Sequence, residues 1–328
     1  MQKITLGTGE FTVEIWSRGA CVNDIRMPDR DGLIGSVVLG YATEADRLAS
    51  GGYLGEICGP FANRIAAGGF EIDGTTYTPD LNDNGTATLH GGPNGWSGHD
   101  WQVVHADPHH AHLHLDWADR PGSFPGHQQV DVEYDLRGWS LTHTIRVTTD
   151  QATVVSGTSH AYFNLSGEAE TIDSHELWVR ADRFLPIDAA SIPLADAPWP
   201  VAGTTFDFRT PRRVGAALAA PDPQSVLVGG IDHALLLDGT AGPCARLAHP
   251  ASGRQLEITT DCPALQVYTG QYLDNPVAHP AGAGRPRCGI ALETEAYPDA
   301  PRRPDFPSAL VRPGETYTRT TTWEFRTI

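Results

Sequence analysis

Apolar residues alternate with polar ones along several segments of the chain, and this period of two is the feature that most restricts its fold. The alternation is clearest at residues 11–15, 130–136 and 141–147. Residues 317–325 are rich in threonine and aromatic residues, which also favours strand. Because successive side chains of a strand point to opposite faces, this spacing predicts half-buried strands and not helices.

Helical patterning is scarce, whereas turn-forming residues are frequent. Residues 43–49 and 212–220 fit short helices, but 35 glycines and 25 prolines interrupt the chain, and the Ala/Gly/Pro-rich stretch 276–286 is predicted to be a loop. Many strands joined by turns are typical of an antiparallel sandwich. No composition break or internal repeat divides the chain. We therefore predict an all-β fold with few short helices, forming one large antiparallel β-sandwich domain over residues 1–328.

The charge and the lysine content exclude several classes of function. The formal net charge of −17 repels nucleic acid phosphates and anionic lipids, so neither nucleic acid nor a membrane is an expected partner. Lys3 is the only lysine. The chain therefore has no internal lysine for a Schiff base or pyridoxal phosphate, and no GxxxxGK(S/T) phosphate loop.

Cysteine spacing and the apolar runs bear on metal binding and location. The five cysteines are scattered and include no CxxC pair, which argues against a zinc site or a disulfide framework. The N-terminal residues lack a signal-peptide pattern. No apolar run approaches the roughly 20 residues that cross a bilayer. We predict a cytoplasmic location.

Five short segments combine polar, aromatic and glycine residues in a way that plain strands do not require. Two of them carry His160, whose imidazole titrates near neutral pH, and Glu293, a carboxylate in an apolar stretch. Each also has a structural interpretation, as a hydrogen-bonded core histidine or a buried ion-pair partner. The segments are GPFANRI at 59–65, LHGG at 89–92, SHAYFNL at 159–165, GIDH at 230–233 and ALETEAYPD at 291–299.

Other residues in or near these segments suit a sugar. Arg64 and Asp232 offer donors and acceptors for hydroxyl groups, and His90 precedes two glycines where a backbone can approach a ligand closely. Trp96 and Trp101 can stack on a pyranose ring, although large aromatic side chains lie more often in a core. The structural alternatives are ion pairs for Arg64 and Asp232 and an ordinary turn histidine for His90.

A row of histidines offers a competing site. His110, His112 and His114 alternate along one predicted strand face. Imidazole nitrogens bind metals, but neighbours on one strand face lie about 7 Å apart, which is too far to chelate one ion easily. We predict a solvent-facing polar stripe there and no metal.

In their order along the chain, the five segments resemble the aldose 1-epimerase family, also called galactose mutarotases. The resemblance covers residues 51–325 approximately and includes GTTFDFR at 203–209, LQVYTGQY at 265–272 and FPSALVRPGETY at 306–317. It implies a galactose mutarotase-like supersandwich fold. It also implies an isomerase that needs no cofactor and interconverts the α and β anomers of a free aldose such as galactose or glucose.

The resemblance implies a role for each matched residue. Glu293 would be the general base and His160 the general acid. His90 would bind near the ring oxygen and the anomeric centre, while Arg64 and Asp232 would hold sugar hydroxyls. The expected partner is a monosaccharide, and the expected assembly is a monomer or a homodimer.

The chain departs from the family pattern at four positions near the implied site. Ala234 stands where Asn is frequent, Glu295 where Gln is frequent, Trp96 where Phe is frequent and Ala161 where Ser or Pro is frequent. None of these changes removes an implied catalytic group. They leave the preferred sugar open.

The implied chemistry requires opposite protonation states in the acid and the base. Ordinary pKa values are about 4.3 for glutamate and about 6.5 for histidine. These values predict an ionised Glu293 and a protonated His160 before the reaction.

Three alternative functions fit parts of the sequence: an epimerase for a pentose or a phosphorylated sugar, a non-catalytic sugar-binding domain, and a glycoside hydrolase or lyase. A phosphate favours several arginines, but only Arg64 lies in the five segments. Hydrolysis generally uses two carboxylates. Glu293 and Glu295 would share a strand face about 7 Å apart.

Overall fold

The computed structural model describes residues 1–51, 53–220, 222–274 and 284–328, and most of its regular structure is antiparallel β-strand. Most of the loop predicted at 276–286 lies outside these residues. In the part of the chain that is described, no helix has the length and apolar character to span a lipid bilayer.

The largest sheet has nine strands, and all of its neighbouring strands pair antiparallel. Across the sheet the strands are Gln102–Ala106, His110–Trp117, Gln128–Arg137, Ser140–Thr149, Tyr317–Thr327, Arg254–Thr260, Ala245–Ala248, Glu176–Val179 and Arg212–Arg213.

A second sheet of six strands carries Glu293 and Asp232. Across it the strands are Tyr162–Phe163, Ile290–Glu295, Ala264–Tyr268, Asp232–Leu237, Ala181–Phe184 and Trp199–Pro200. A third sheet is made of Lys3–Leu6, Thr12–Trp16, Cys21–Pro28 and Ile34–Ser36.

The remaining described elements are short. The two-stranded pairs are Thr153–Val154 with Leu310–Val311, Thr158–Ser159 with Ile57–Cys58, Arg64–Ala66 with Ala87–Leu89, and Phe70–Ile72 with Thr75–Tyr77. The α-helices are Glu44–Ala49, Val214–Leu218 and Pro223–Val228, and the 3-10 turns are Gly92–Asn94, Trp96–Gly98, Ile172–Ser174 and Ala300–Arg302.

Alternation in the sequence corresponds to alternation of burial in the strands. Along Gln128–Arg137 the residues Val130, Val132 and Tyr134 are buried, and the acidic residues between them are partly exposed. The strands predicted at 11–15, 130–136, 141–147 and 317–325 are all present. The hydrophobic effect favours this arrangement because each apolar face is removed from water.

Both predicted helices are confirmed in shortened form. Glu44–Ala49 begins after Thr43, whose side chain accepts from the N–H of Asp46, while the Asp46 carboxylate accepts from the N–H of Thr43. This reciprocal pairing satisfies two N–H groups that the first turn leaves free. The second helix begins at Val214, because Arg212–Arg213 pairs as a short strand instead.

The nine-stranded and six-stranded sheets pack face to face, as predicted for an antiparallel sandwich. The ring centroids of Trp323 and Phe163 lie 5.1 Å apart, and the hydroxyl groups of Thr294 and Thr321 lie 2.7 Å apart. Because side chains alternate along a strand, Thr294 facing the nine-stranded sheet directs Glu293 to the opposite face. That outer face of the six-stranded sheet is where the candidate site lies.

Candidate active site

A cavity of about 200 Å³ lies over the outer face of the six-stranded sheet. All five site residues predicted from the sequence line it, although they come from five separate segments of the chain. The lining residues are Gly51, Tyr53, Asn63, Arg64, Leu89, His90, His160, Tyr162, Asp232, Tyr268, Tyr272, Leu273 and Glu293.

Glu293 and His160 lie next to each other in the lining of the cavity. Glu293 lies within Ile290–Glu295 and is 2% exposed, and His160, just before Tyr162–Phe163, is 5% exposed. His160 Nε2 lies 3.5 Å from Glu293 Oε2. Among the described residues neither His160 Nδ1 nor Glu293 Oε2 has a hydrogen-bond partner. Buried polar atoms are rarely left unpaired, so this pair is free to bind an incoming molecule.

The backbone around His160 is held from both sides. Its N–H donates to the carbonyl oxygen of Glu56 at 2.9 Å, and its own carbonyl oxygen accepts from the N–H of Gly55 at 3.0 Å. Its ring stacks on Tyr162 with centroids 4.9 Å apart. These contacts fix the imidazole against the end of the Glu293 strand.

His90 is the third member of the cluster, and its tautomer follows from its contacts. The backbone N–H of Asn63 donates to His90 Nδ1 at 3.2 Å, so a neutral imidazole carries its hydrogen on Nε2. The ring centroids of His90 and His160 lie 5.1 Å apart. Gly91 follows in a left-handed conformation with φ of 87°, where an added Cβ would lie 2.0 Å from the Gly59 carbonyl oxygen. That close approach requires glycine.

Arg64 and Asp232 form the polar side of the cavity. Arg64 Nε donates to Asp83 Oδ2 at 2.6 Å, and Arg64 Nη1 lies 3.8 Å from Asp232 Oδ2. Asp232 Oδ1 accepts from Gln266 Nε2 at 2.7 Å. The guanidinium and the carboxylate are therefore oriented by neighbours and retain groups that can bind hydroxyls.

Burial reverses the protonation order that ordinary pKa values predict. Desolvation lowers the pKa of His160 to about 4. Desolvation, followed by the nearby Glu295 and Asp232 carboxyl groups, raises the pKa of Glu293 well above its usual value. These shifts disfavour the predicted resting state, with a protonated His160 and an ionised Glu293, in the unliganded cavity. Both shifts have the same physical cause, because burial disfavours the charged form of a carboxyl group and of an imidazole alike.

The two tryptophans lie in the core, the assignment that the sequence favoured over stacking on a sugar. Trp96 and Trp101 are 0% and 2% exposed, and neither lines the cavity. The aromatic residues that do line it were missed by the sequence analysis, although three of them lie within or beside the quoted motifs. They are Tyr53, Tyr162, Tyr268 and Tyr272.

The histidine stripe is a polar surface, as predicted. His112 Nε2 and His114 Nδ1 lie 2.7 Å and 2.9 Å from the same oxygen of Asp131, and all three side chains are partly exposed. Among the described residues, only His90, His160 and Glu293 have ligand atoms close enough to hold a metal ion, within 4.8 Å of one another.

A buried carboxyl group and imidazole beside an oriented guanidinium and carboxylate, on the face of a β-sandwich, are chemically suited to proton transfer on a small polyhydroxylated molecule. A model of the family described as aldose 1-epimerase matches residues 2–324. The chain belongs to the aldose 1-epimerase family and is an isomerase, which confirms the resemblance.

Named relatives support this assignment over nearly the whole chain. Galactose mutarotase from Homo sapiens is 38% identical over 99% of this chain and 94% of its own. Aldose 1-epimerase from Escherichia coli (strain K12) is 35% identical over 96% of this chain and 92% of its own.

Two solved structures are similar in fold. An aldose epimerase homologue from C. elegans has a TM-score of 0.91 at 26% identity, covering 100% of this chain and 99% of its own. Galactose 1-epimerase from Lactobacillus acidophilus has a TM-score of 0.86 at 29% identity, covering 99% and 94%. The predicted mutarotase-like sandwich is thereby confirmed.

Proposed function

We propose that this enzyme interconverts the α and β anomers of a free aldose such as galactose or glucose, with Glu293 as general base and His160 as general acid. The observation that carries the proposal is the 3.5 Å approach of His160 Nε2 to Glu293 Oε2 inside a cavity lined by hydroxyl-binding groups. The anomeric hydroxyl and the ring oxygen are bonded to the same carbon, so two groups this close can reach both.

The reaction opens and recloses a hemiacetal ring. Glu293 takes the proton from O1 while His160 gives a proton to the ring oxygen, and the bond between C1 and the ring oxygen breaks as the C1–O1 carbonyl forms. Rotation about C1–C2 exposes the other carbonyl face. The same two groups then return their protons in reverse, so atoms and charges balance without a cofactor. Each group contributes about 10²–10⁴ in rate.

The pair reaches its reactive form without exchanging protons with solvent. A protonated Glu293 beside neutral His160 and an ionised Glu293 beside protonated His160 contain the same number of protons, so one transfer interconverts them. A sugar bound against the two groups supplies hydroxyl donors that stabilise the carboxylate form. The proposed acid and base roles therefore belong to the liganded pair.

The neighbouring residues fix the sugar in place. His90 lies beside His160 and Glu293, and its Nε2 hydrogen suits an oxygen at the anomeric centre. Arg64 and Asp232 bind hydroxyl groups farther around the ring. Positioning of this kind lowers the entropic barrier to the proton transfers.

A phosphorylated substrate is less well supported by the cavity. Of the described lining residues, Arg64 is the only one with a fixed positive charge, and it already contacts Asp83 and Asp232. A phosphate would lie close to those carboxylates. A hydrolase that uses Glu293 and Glu295 as its two carboxylates is also disfavoured, because Glu295 is fully buried and does not line the cavity.

Polarimetry on freshly dissolved α-D-galactose and α-D-glucose tests the proposal, and the 6-phosphates of both sugars serve as comparison substrates. We expect rapid approach to the equilibrium rotation with the free sugars and a much slower approach with the phosphates. Sugar binding without faster mutarotation would identify a non-catalytic binding domain and contradict the proposal.

Replacing Arg64 with lysine is expected to raise KM for the free sugar about 10–100-fold, because lysine lacks the planar donor fork that bridges Asp83 and the sugar. The value of kcat should fall less, since Arg64 does not transfer protons. Initial-rate polarimetry over a range of sugar concentrations separates the two effects. Arg26→Lys, at an exposed position, is the matched control, and an unchanged KM in Arg64→Lys would remove Arg64 from the sugar site.

The proposal also covers the domain extent, the location and the assembly of the protein. We infer one domain over residues 1–328, a cytoplasmic location, and a monomer or homodimer. The proposed chemistry uses neither a metal ion nor a cofactor, and its partner is a monosaccharide and not a nucleic acid.

A further inference from the structure

A second buried carboxyl group lies beside the proposed base and is not used by the proposed reaction. Glu295 follows Glu293 by two residues on Ile290–Glu295, so both side chains leave the strand on the same face. Glu295 is 0% exposed. Burial of a carboxyl group is costly unless it is paired with a cation or holds a proton.

The contacts of Glu295 favour the protonated form. Asn63 Nδ2 donates to Glu295 Oε1 at 3.0 Å, and Oε2 is buried without a hydrogen-bond partner among the described residues. The guanidinium of Arg64 is engaged by Asp83 and Asp232 instead. One amide donor stabilises a buried carboxylate only weakly, so the neutral acid, which brings no charge into the interior, is favoured.

Asn63 connects Glu295 to two of the proposed sugar-binding residues. The N–H of Asn63 donates to His90 Nδ1 at 3.2 Å, and its carbonyl oxygen accepts from the N–H of His90 at 3.0 Å. Its side-chain Oδ1 accepts from the N–H of Arg64 at 2.8 Å. Asn63 has φ of 60°, a left-handed conformation that its anchored side chain helps to maintain. A shift of Asn63 would displace both His90 and Arg64.

We propose that Glu295 is a positioning residue, which as a neutral acid holds Asn63 and, through Asn63, sets the places of His90 and Arg64. This inference rests on the proposed function, because it assigns Glu295 to the same site. A neutral carboxyl group offers Asn63 the same acceptor that a glutamine amide would offer, so the charge of Glu295 is not required.

The electrostatic surroundings agree with a neutral Glu295. Burial raises its pKa to about 8, more than the hydrogen bond from Asn63 lowers it. The titratable and charged groups that face it are Glu293 on its own strand, with Asp232, Arg64 and Cys58 from neighbouring elements. Above this pH, Glu295 acquires a charge beside Glu293 that the site does not compensate.

Paired variants of Glu295 separate this role from a purely structural one. Glu295→Gln should keep kcat/KM near the wild-type value at about pH 7, and should retain activity at about pH 9, where the wild type declines. Glu295→Met removes the acceptor for Asn63 and should raise KM about 10–100-fold at about pH 7. Identical pH profiles for wild type and Glu295→Gln would overturn the proposal, as would a collapse of kcat in Glu295→Gln at about pH 7.

Two measurements do not depend on turnover, and they keep the test of Glu295 separate from the test of the proposed function. The folded pKa of Glu295 lies above the unfolded value of about 4.3, so the stability that this group contributes is full below about pH 4.3 and is lost as the pH rises towards 8. The Tm of Glu295→Gln should therefore rise relative to wild type over that interval, and a constant difference would contradict the neutral state.

The nitrogen-15 resonances of the His90 imidazole report its positioning directly. They should be unchanged in Glu295→Gln and shifted in Glu295→Met, and an unshifted signal in Glu295→Met would refute the link through Asn63. Absence of mutarotation by the wild-type protein would instead refute the proposed function and leave both of these readouts decisive for Glu295.

Discussion

Replacing Glu293 with glutamine is expected to lower kcat for mutarotation by about 10²–10⁴-fold. Glutamine keeps the shape and hydrogen-bonding capacity of the side chain but cannot take a proton from the anomeric hydroxyl. KM should change much less, because the lost interaction develops in the transition state. Polarimetry with fresh α-D-galactose measures both constants.

The loss should occur without loss of folding. Burial raises the pKa of Glu293 well above its usual value, so the carboxyl group increasingly destabilises the folded state as the pH rises beyond its unfolded pKa, and an uncharged glutamine avoids this effect. The Tm of Glu293→Gln at neutral pH should therefore equal or exceed that of the wild type. Glu324→Gln, at an exposed position, is the matched control. Near-wild-type turnover in Glu293→Gln would exclude Glu293 as the base.

Replacing His160 with asparagine should also lower kcat by about 10²–10⁴-fold, because the ring oxygen then leaves as an alkoxide without a proton donor. Burial lowers the pKa of His160 to about 4, so we propose that its catalytic proton comes from within the pair with Glu293 and not from bulk solvent. The loss should accordingly persist between about pH 5 and about pH 8. Rates measured across this interval by anomer exchange in NMR test the prediction.

His109→Asn provides a matched control on the exposed surface and should leave kcat and KM unchanged. Recovery of His160→Asn activity at either end of the pH interval would point to a different proton donor. Retained sugar binding by His160→Asn, measured calorimetrically, would show that the cavity itself survives the substitution.

Much of the fold could be predicted from local pattern. Alternation places Val130, Val132 and Tyr134 on one face of a strand, and that face is buried in the structure. The sequence analysis missed the short helix Pro223–Val228. Six residues contain too little helical periodicity to be recognised, and that helix begins with the capping side chain of Asp222. Its formation depends on local hydrogen bonds that periodicity does not record.

The sequence predicted which residues form the site but not how they are arranged in space. The order of the five segments associated Glu293, His160, His90, Arg64 and Asp232, and all five line one cavity. The tyrosines around them were not predicted, because an aromatic side chain that lines a pocket has the same composition signal as one in the core. The contacts of Asn63 with Glu295 and His90 also join segments that are distant in the sequence, so they could not be predicted.

The sequence by itself determined that this chain forms an antiparallel sandwich and carries the residues of an aldose 1-epimerase, because strand periodicity and motif order are properties of the linear chain. Only the tertiary structure decided how those residues interact. It places His160 Nε2 3.5 Å from Glu293 Oε2 and buries both. Burial opposes charge on either group, so it lowers the pKa of His160 and raises the pKa of Glu293, contrary to the order of their ordinary pKa values. The burial of each group is produced by residues far away in the chain, which no local pattern can report.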